Sequence, residues 1–536
     1  MEFTLTAMHA RTLRTSIVPA LFARSQANVA IVAALALIGG LSRLPFVRPT
    51  PINWDAVQFA LALDGFDLHL HQPHAPGYLL YVMSGRVANL LIGDPSLSLS
   101  LLSVLFSGIA VPLFYVLCRQ IFEDVPAAVC ATLLMLGSPL TLYYGATGLT
   151  YVPEMALAIA VAWAAWNLRS ADEKGEVRYA VLLGLALGVA GGVRQTGLLL
   201  LLPLCAWALW GAPRRAWAAF FLVLTGICAL WLVPLLALSG GPEAYLRENA
   251  LLGQTVSDLT SLVGAGPGGV AYNLYIGGVA LVVGLALALV PLGVWALRVV
   301  RFSLSSKLKW FAFWWAVPPL AFFALTHIGQ FGYVLIALPP LLMLAATSTR
   351  VVWERLRGDT PSAAGRSVLS CLGLAAASAC IFTFAPGPTT APQIAGVDQR
   401  WHDIRQTVAT MDPASTALVM GSNWHSSFRH AGYLLPQYHS YALDQKNDRL
   451  NGWNYSAYGG ESTYALPKPV PQAYLQLPPG TRTIVALDEQ VGEAMTAQPG
   501  LRRVSLGGDT TLYVLHSPVE IEGLRVENGT ITAVRR

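Results

Sequence analysis

Charge is what this sequence has least of. Asp, Glu, Lys and Arg make up 12% of its 536 residues, about half the share of an ordinary soluble chain. So little charge cannot cover the water-facing surface of a large soluble protein, and that class is excluded. Cysteine is also scarce. All six (Cys118, Cys130, Cys205, Cys228, Cys371, Cys380) lie inside apolar runs or at their ends, which leaves no disulfide framework and no CxxC metal pattern. They are expected to be packing residues. The basic segments between apolar runs contain no Gly-rich phosphate loop and no nucleotide motif. No internal repeat and no heptad pattern is present, and nothing points to a nucleic-acid partner.

What the chain does have is long apolar runs. Apolar residues make up 54% of the total, and Ile276 to Leu297 carries no charge at all. Runs of about 18 apolar residues read as membrane spans. Eleven are expected, near Ala27–Val47, Leu97–Leu117, Pro126–Tyr144, Pro153–Leu168, Tyr179–Gly192, Thr196–Trp210, Ala216–Leu238, Ala271–Leu297, Leu308–Leu325, Tyr333–Thr347 and Ser367–Phe384. Arg11, Arg14 and Arg24 precede the first run, and no small-residue cleavage site follows it. That run is therefore expected to remain as a span and not to be removed as a signal peptide. The stretch Pro76–Leu91 is apolar but short and holds Ser84, Arg86 and Asn89, which suits a helix lying on the membrane surface.

Lys and Arg placement orients the bundle. With the N-terminus in the cytoplasm, Arg119, residues 169–178, Arg214 and Arg215, residues 298–309 and residues 350–366 all fall inside. The opposite loops carry few basic residues: Arg43, Arg48, Arg86, Arg194 and Arg247. This asymmetry requires two short spans meeting at Gly191–Gly197, since a single span there would place the later basic loops outside. From Ala385 the composition turns to Pro and Thr, then to short strand-like runs. Thr416–Gly421 and Thr481–Asp488 read as strands, Asn423–Leu435 as a helix, and Val519–Val534 as a hairpin turning at Asn528-Gly529. The expected fold is mainly α. A cytoplasmic tail (1–26) leads into a transmembrane helical bundle (27–384) with an outer loop (48–96), and a soluble α/β domain (385–536) follows on the outer side.

The outer loop is unlike a connector. It carries Asp55, Asp64 and Asp67, then His69, His71, Gln72 and His74 beside Pro73 and Pro76, with Tyr78 following. Asp55 opens an amphipathic helical pattern, where a carboxylate can cap the helix or stand free for chemistry. The histidines lack the fixed spacing of zinc motifs. Glu154 follows Pro153 at the outer start of a span, a place where an ionisable residue is costly but where a carboxylate also suits a helix N-terminus. Arg194 and Gln195 sit between two short spans, where a guanidinium can snorkel or grip a phosphate. His327 and Gln330 interrupt another pair of apolar runs. The topology brings Asp55, His74, Glu154, Arg194 and His327 to one face.

On these residues the chain resembles the GT-C superfamily of membrane glycosyltransferases, in particular the protein O-mannosyltransferase and aminoarabinose-transferase branch. The resemblance runs from about Asn28 to Thr347. It rests on the loop acid Asp55, the segment His74 to Val82, the long span ending at Arg119, the second acid Glu154 and the basic break around Arg194. Two features depart from the pattern: Ala56 follows Asp55 where many relatives have a second acid, and His74 stands in place of a lysine. The resemblance implies an inverting transfer of a sugar from a polyprenyl-phosphate donor to a lipid, glycan or protein acceptor, on the outer face of a bacterial inner membrane. Asp55 would take the acceptor proton. His74, Arg194 and Gln195 would face the donor phosphate. Glu154 would orient the acceptor or hold a divalent cation. His71, Gln72, Tyr78, His327 and Gln330 would line the substrate site. Two other classes compete. A transporter or flippase of a lipid-linked or polar substrate would call for inverted repeats and a midplane site. A non-catalytic envelope scaffold would have no need of Asp55.

Overall fold

The computed structural model describes residues 26–300, 302–421, 428–446, 449–458, 461–462, 472–495, 498–507 and 510–536. Arg11, Arg14, Arg24 and the first residues of the helix expected at Asn423–Leu435 lie outside them. The bundle runs in chain order as α1 (Gln26–Leu41), α2 (Trp54–Asp64), α3 (Leu79–Ile92), α4 (Pro95–Phe122), α5 (Val125–Leu136), α6 (Pro139–Gly145), α7 (Tyr151–Leu168), α8 (Gly175–Val193), α9 (Gln195–Leu209) and α10 (Arg214–Leu238). It continues as α11 (Pro242–Thr260), α12 (Gly266–Leu285), α13 (Leu289–Ala296), α14 (Ser306–Leu325), a 3-10 turn at Phe331–Ile336, α15 (Leu338–Arg357) and α16 (Pro361–Phe384).

Seven stretches among the described residues are helical, long and apolar enough to cross a membrane, and the bent pair α5–α6 makes an eighth. Helix α7, helix α9 and the segment 331–357 are shorter or carry polar residues, and counting them brings the total to eleven. Where the sequence suggested one continuous span at Pro126–Tyr144, the chain bends by 59°. The cause is local. Pro139 cannot continue the ladder, and Ser138 before it is held extended. The carbonyls freed there are met inside the bundle. Thr141 Oγ1 donates to the carbonyls of Met135 (2.6 Å) and Ser138 (2.9 Å), and Arg43 from the end of α1 donates to Leu136 O (3.5 Å). Arg43 is thus a buried structural cation. The span expected at Ala271–Leu297 is also divided, at the 3-10 turn Ala286–Ala288. Helix α11 was not foreseen, because its mixed polar and apolar composition falls below any span threshold. Helix α3 has a buried face (Leu79, Tyr81, Val82, Gly85) and leaves Val87, Leu90 and Leu91 exposed, as a surface-lying helix would.

Beyond α16 come α17 (Ala391–Val408), β1 (Thr416–Gly421), α18 (Phe428–Leu434), β2 (His439–Lys446), β3 (Arg449–Tyr458), β4 (Glu461–Ser462), β5 (Tyr474–Gln476), β6 (Thr483–Ala486), α19 (Glu489–Ala494), β7 (Leu501–Ser505), β8 (Thr511–His516), β9 (Ile521–Glu527) and β10 (Thr530–Arg535). The larger sheet has the order β4-β3-β2-β1-β6-β8-β7, with β1 parallel to both β2 and β6. Strand β1 is buried on both faces. Ala417 and Val419 enter one core, and Leu418 and Met420 enter the other with Trp401 and Ile404 of α17. Asn528 and Gly529 both take positive φ in the β9–β10 turn, as expected from the sequence. The two parts meet at the site loop, where Thr50 Oγ1 donates to Asp398 Oδ1 at 2.6 Å.

Helices α8 and α10 pack closely through glycine. A Cβ on Gly184 would stand 2.6 Å from the Phe220 carbonyl oxygen, and one on Gly188 2.7 Å from Ile227. These residues are four apart, so both lie on one helix face, the small-residue spacing that lets membrane helices approach. Gly226 on α10 has open space around it. Gly184→Val should therefore lower stability by about 1–3 kcal/mol through overpacking, read as a lower melting temperature in detergent, while Gly226→Ala leaves it unchanged.

Candidate active site

The site is assembled where the bundle departs from regular helix. Asn53 is extended (φ −158°) and accepts from Ala56 N–H at 3.1 Å, making it the N-cap of α2. Asp55 is therefore not the cap, and its carboxylate is left for other partners. Gln330, in the break between α14 and α15, donates to Asp55 Oδ2 at 2.6 Å. The Asn53 side chain donates to Gln330 Oε1 at 3.0 Å, which fixes which end of the Gln330 amide faces Asp55. The Asp55 side chain is 29% exposed, open on one side and enclosed on the others. Burial pushes its carboxyl up to about 6, against the opposing pull of Arg194, the Gln330 hydrogen bond and His327.

His74 Nδ1 approaches Asp55 Oδ1 at 4.0 Å and donates to Gln58 Oε1 at 2.6 Å. Tyr78 OH donates to His74 Nε2 at 3.0 Å. Both ring nitrogens are thus engaged. Burial, and then the charges of Arg194 and Arg429, push His74 down to about 3, so the imidazole is neutral at ordinary pH and is no cation for a phosphate. Gln58 lies one helical turn beyond Asp55 on α2 and also reaches His71 Nδ1 at 3.5 Å. Tyr78 has φ +46° and His71 φ +56°. For bulky residues this is costly backbone, of the kind found where a fold holds a functional loop. Gln72 and Asp67 exchange backbone hydrogen bonds of 2.6 and 2.7 Å, closing the turn that carries His69 and His71.

Arg194 stands in extended backbone between α8 and α9 (φ −152°). Its guanidinium lies over the adjoining rings of Tyr151 (4.7 Å) and Tyr333 (4.6 Å) and pairs with Glu154 Oε2 at 3.4 Å. Thr196 Oγ1 (3.2 Å) and Thr150 Oγ1 (3.5 Å) accept from it. Glu154 Oε1 is buried with no hydrogen-bond partner among the described residues, so one acceptor oxygen remains unused beside the pair. Gln195 donates to Pro76 O at 3.2 Å, tying this break to the loop. His327 is linked to Thr260 at 2.8 Å. Burial lowers its basicity while Asp55 raises it.

The residues singled out in the sequence thus divide. Asp55 is bonded to Gln330, and His74 to Tyr78, with His74 4.0 Å from Asp55. Glu154 and Arg194 form a separate pair, which reaches Asp55 through the field of Arg194. His71 and Gln72 shape the loop behind them. Sequence reasoning missed Asn53, Gln58, Tyr151 and Tyr333. The helical spacing of Gln58 from Asp55 was a usable signal; Tyr151 and Tyr333 carried none. Among the described residues no three or more His, Cys, Asp or Glu side chains are grouped so as to hold a metal ion by themselves.

Residues 75–237 match the family model of dolichyl-phosphate-mannose-protein mannosyltransferases. No curated protein matches the sequence. Among solved structures the chain is similar to ArnT from Cupriavidus metallidurans bound to undecaprenyl phosphate. The TM-score is 0.59 at 14% identity, covering 92% of this chain and 99% of that one. The apo state of the same protein matches with a TM-score of 0.53 at 14% identity, covering 91% and 99%. The chain has the GT-C glycosyltransferase fold. The matched range holds Tyr78, Glu154, Arg194 and Gln195, whereas Asp55 and His74 lie before it and Gln330 after it. The family match over residues 75–237 supports the glycosyltransferase class, and the long apolar helices support the membrane setting.

The buried pair makes a prediction of its own. Glu154→Met should destabilise the protein by about 3–5 kcal/mol by leaving Arg194 uncompensated, and Glu154→Met with Arg194→Met should recover most of that loss. Thermal unfolding in detergent reads both.

Proposed function

We propose that this chain transfers a sugar from a polyprenyl-phosphate donor to a hydroxyl of a cell-envelope acceptor, with Asp55 as general base. The carrying observation is the Asp55 carboxylate: uncapped, open on one side, held by Gln330 and shifted towards neutral pH. A base shifted this way is matched to its task. The bound undecaprenyl phosphate of the structurally similar ArnT supports a donor on such a lipid. The sparsely basic loops on this side support an extracytoplasmic site with the C-terminal domain beside it, in a bacterial inner membrane.

In the proposed step the acceptor hydroxyl gives its proton to Asp55 as its oxygen bonds to the anomeric carbon. The bond from that carbon to the phosphate oxygen breaks, and the polyprenyl phosphate leaves with the electron pair. One displacement inverts the anomeric centre. Charge grows on the departing phosphate, and Arg194 is the permanent cation of the site. Glu154 and the two tyrosines hold its guanidinium in place. Neutral His74 contributes position and not charge: bonded to Gln58 and Tyr78, it stands 4.0 Å from Asp55. The second oxygen of Glu154, buried and without a hydrogen-bond partner among the described residues, is left able to accept a hydrogen bond.

Purified protein, a panel of polyprenyl-phosphate sugars and membrane extract as acceptor source test this reading. Wild type should transfer sugar to a product of inverted anomeric configuration, and folded Asp55→Asn should be slower by about 100- to 10,000-fold, the usual worth of a general base. Undiminished transfer by the variant would remove Asp55 from the mechanism.

A further inference from the structure

Three consecutive residues of α18 grip the segment that carries Asp55. The Phe428 ring lies 6.1 Å from that of Trp54. The Arg429 guanidinium lies over the same Trp54 ring at 5.4 Å and donates to Leu70 O at 2.6 Å. His430 Nε2 donates to Pro51 O at 2.9 Å. Pro51 and Leu70 bracket helix α2 and its following turn, and Trp54 is the residue next to Asp55. All three gripping residues are buried; Arg429 is 1% exposed.

The grip is backed by the domain core. His430 stacks on Trp401 of α17 (5.3 Å, 9° between planes), and Trp54 itself packs against the core formed by Trp401, Leu418 and Phe428. Burying a guanidinium is expensive, and aromatic faces and carbonyl oxygens offset that cost only in a fixed geometry. A loose domain contact would leave such an arginine solvated. Two of the positions held, Pro51 and Trp54, set the direction of α2 at its N-terminus, where Asn53 and Asp55 must meet Gln330, and Leu70 holds the turn after it.

We propose that Phe428, Arg429 and His430 are positioning residues, a clamp through which the C-terminal domain sets the location of Asp55 in the membrane site. The soluble domain is then part of the catalytic apparatus, and undocking it disables the site without touching a substrate contact. This rests on the reading of Asp55 as the base.

The test uses the full chain with Arg429→Gln and His430→Ala combined. Amide hydrogen exchange over residues 48–74 should rise by about tenfold or more. The kcat should fall about 10- to 100-fold, as misplacement of a reacting group does, with the donor KM changed less than about threefold because donor contacts remain. The melting transition should persist. His430→Gln, which keeps a donor towards Pro51 O, should restore most of the kcat lost in His430→Ala. If the double variant fails to fold, Trp54→Leu loosens the same grip from the loop side and should give the same pattern. Unchanged exchange and unchanged kcat in a folded variant would overturn the clamp, as would a change confined to KM. If wild type transfers no sugar, the reading of Asp55 fails, while the exchange measurement still decides whether the clamp holds the loop.

Discussion

The hydrogen bond from Gln330 to Asp55 spans 275 positions of sequence, and the site depends on it. One end lies on the loop helix α2, and the other in a break between two apolar helices. Irregular backbone among apolar helices must satisfy its own polar groups. Here Asn273, fully buried on α12, donates to Thr260 O and Ala324 O and accepts from Ile328 N–H. That fixes the ends of α11 and α14 and the strand of chain leading to Gln330. Asn53 then orients the Gln330 amide. Each link is an amide side chain with both of its functions used, so the carboxylate at the end receives a donor and not an acceptor.

The electrostatics follow from the same economy of charge. Arg194 and Glu154 neutralise each other in the bundle, and the tyrosine faces supply the rest of the guanidinium's surroundings. His74 is kept neutral by burial and by cations nearby. Burial pushes the Asp55 carboxyl up to about 6, towards neutral pH. A carboxylate shifted towards neutral pH with a buried guanidinium nearby is chemically suited to remove a proton and stabilise a leaving anion.

Much of this was legible because polar residues stand out in an apolar chain. Asp55, Glu154, Arg194 and Gln330 were visible by contrast alone, and the break around Arg194 followed from the count of basic loops. The partnerships were not legible. Glu154 and Arg194 are distant in sequence with no pattern joining them, and a neutral His74 cannot be told from a cationic one without its neighbours. Asp55 resembled a helix cap, and only the extended backbone of Asn53 transfers that role by two residues. Helix α11 escaped notice because amphipathic surface helices lack both the hydropathy of a span and the punctuation of a loop. The bend at Ser138–Pro139 was overlooked because proline is tolerated within membrane helices when neighbours meet the freed carbonyls, as Arg43 and Thr141 do here.

The pH dependence of kcat/KM for sugar transfer, compared between wild type and Gln330→Ala, tests the central claim most directly. Asp55 must be ionised to act, so kcat/KM should fall as pH drops through about 6. The Gln330 hydrogen bond favours the ionised form, so its loss should move that limb to higher pH. An acid limb near the ordinary carboxylate value of about 4, unmoved by Gln330→Ala, would contradict the account.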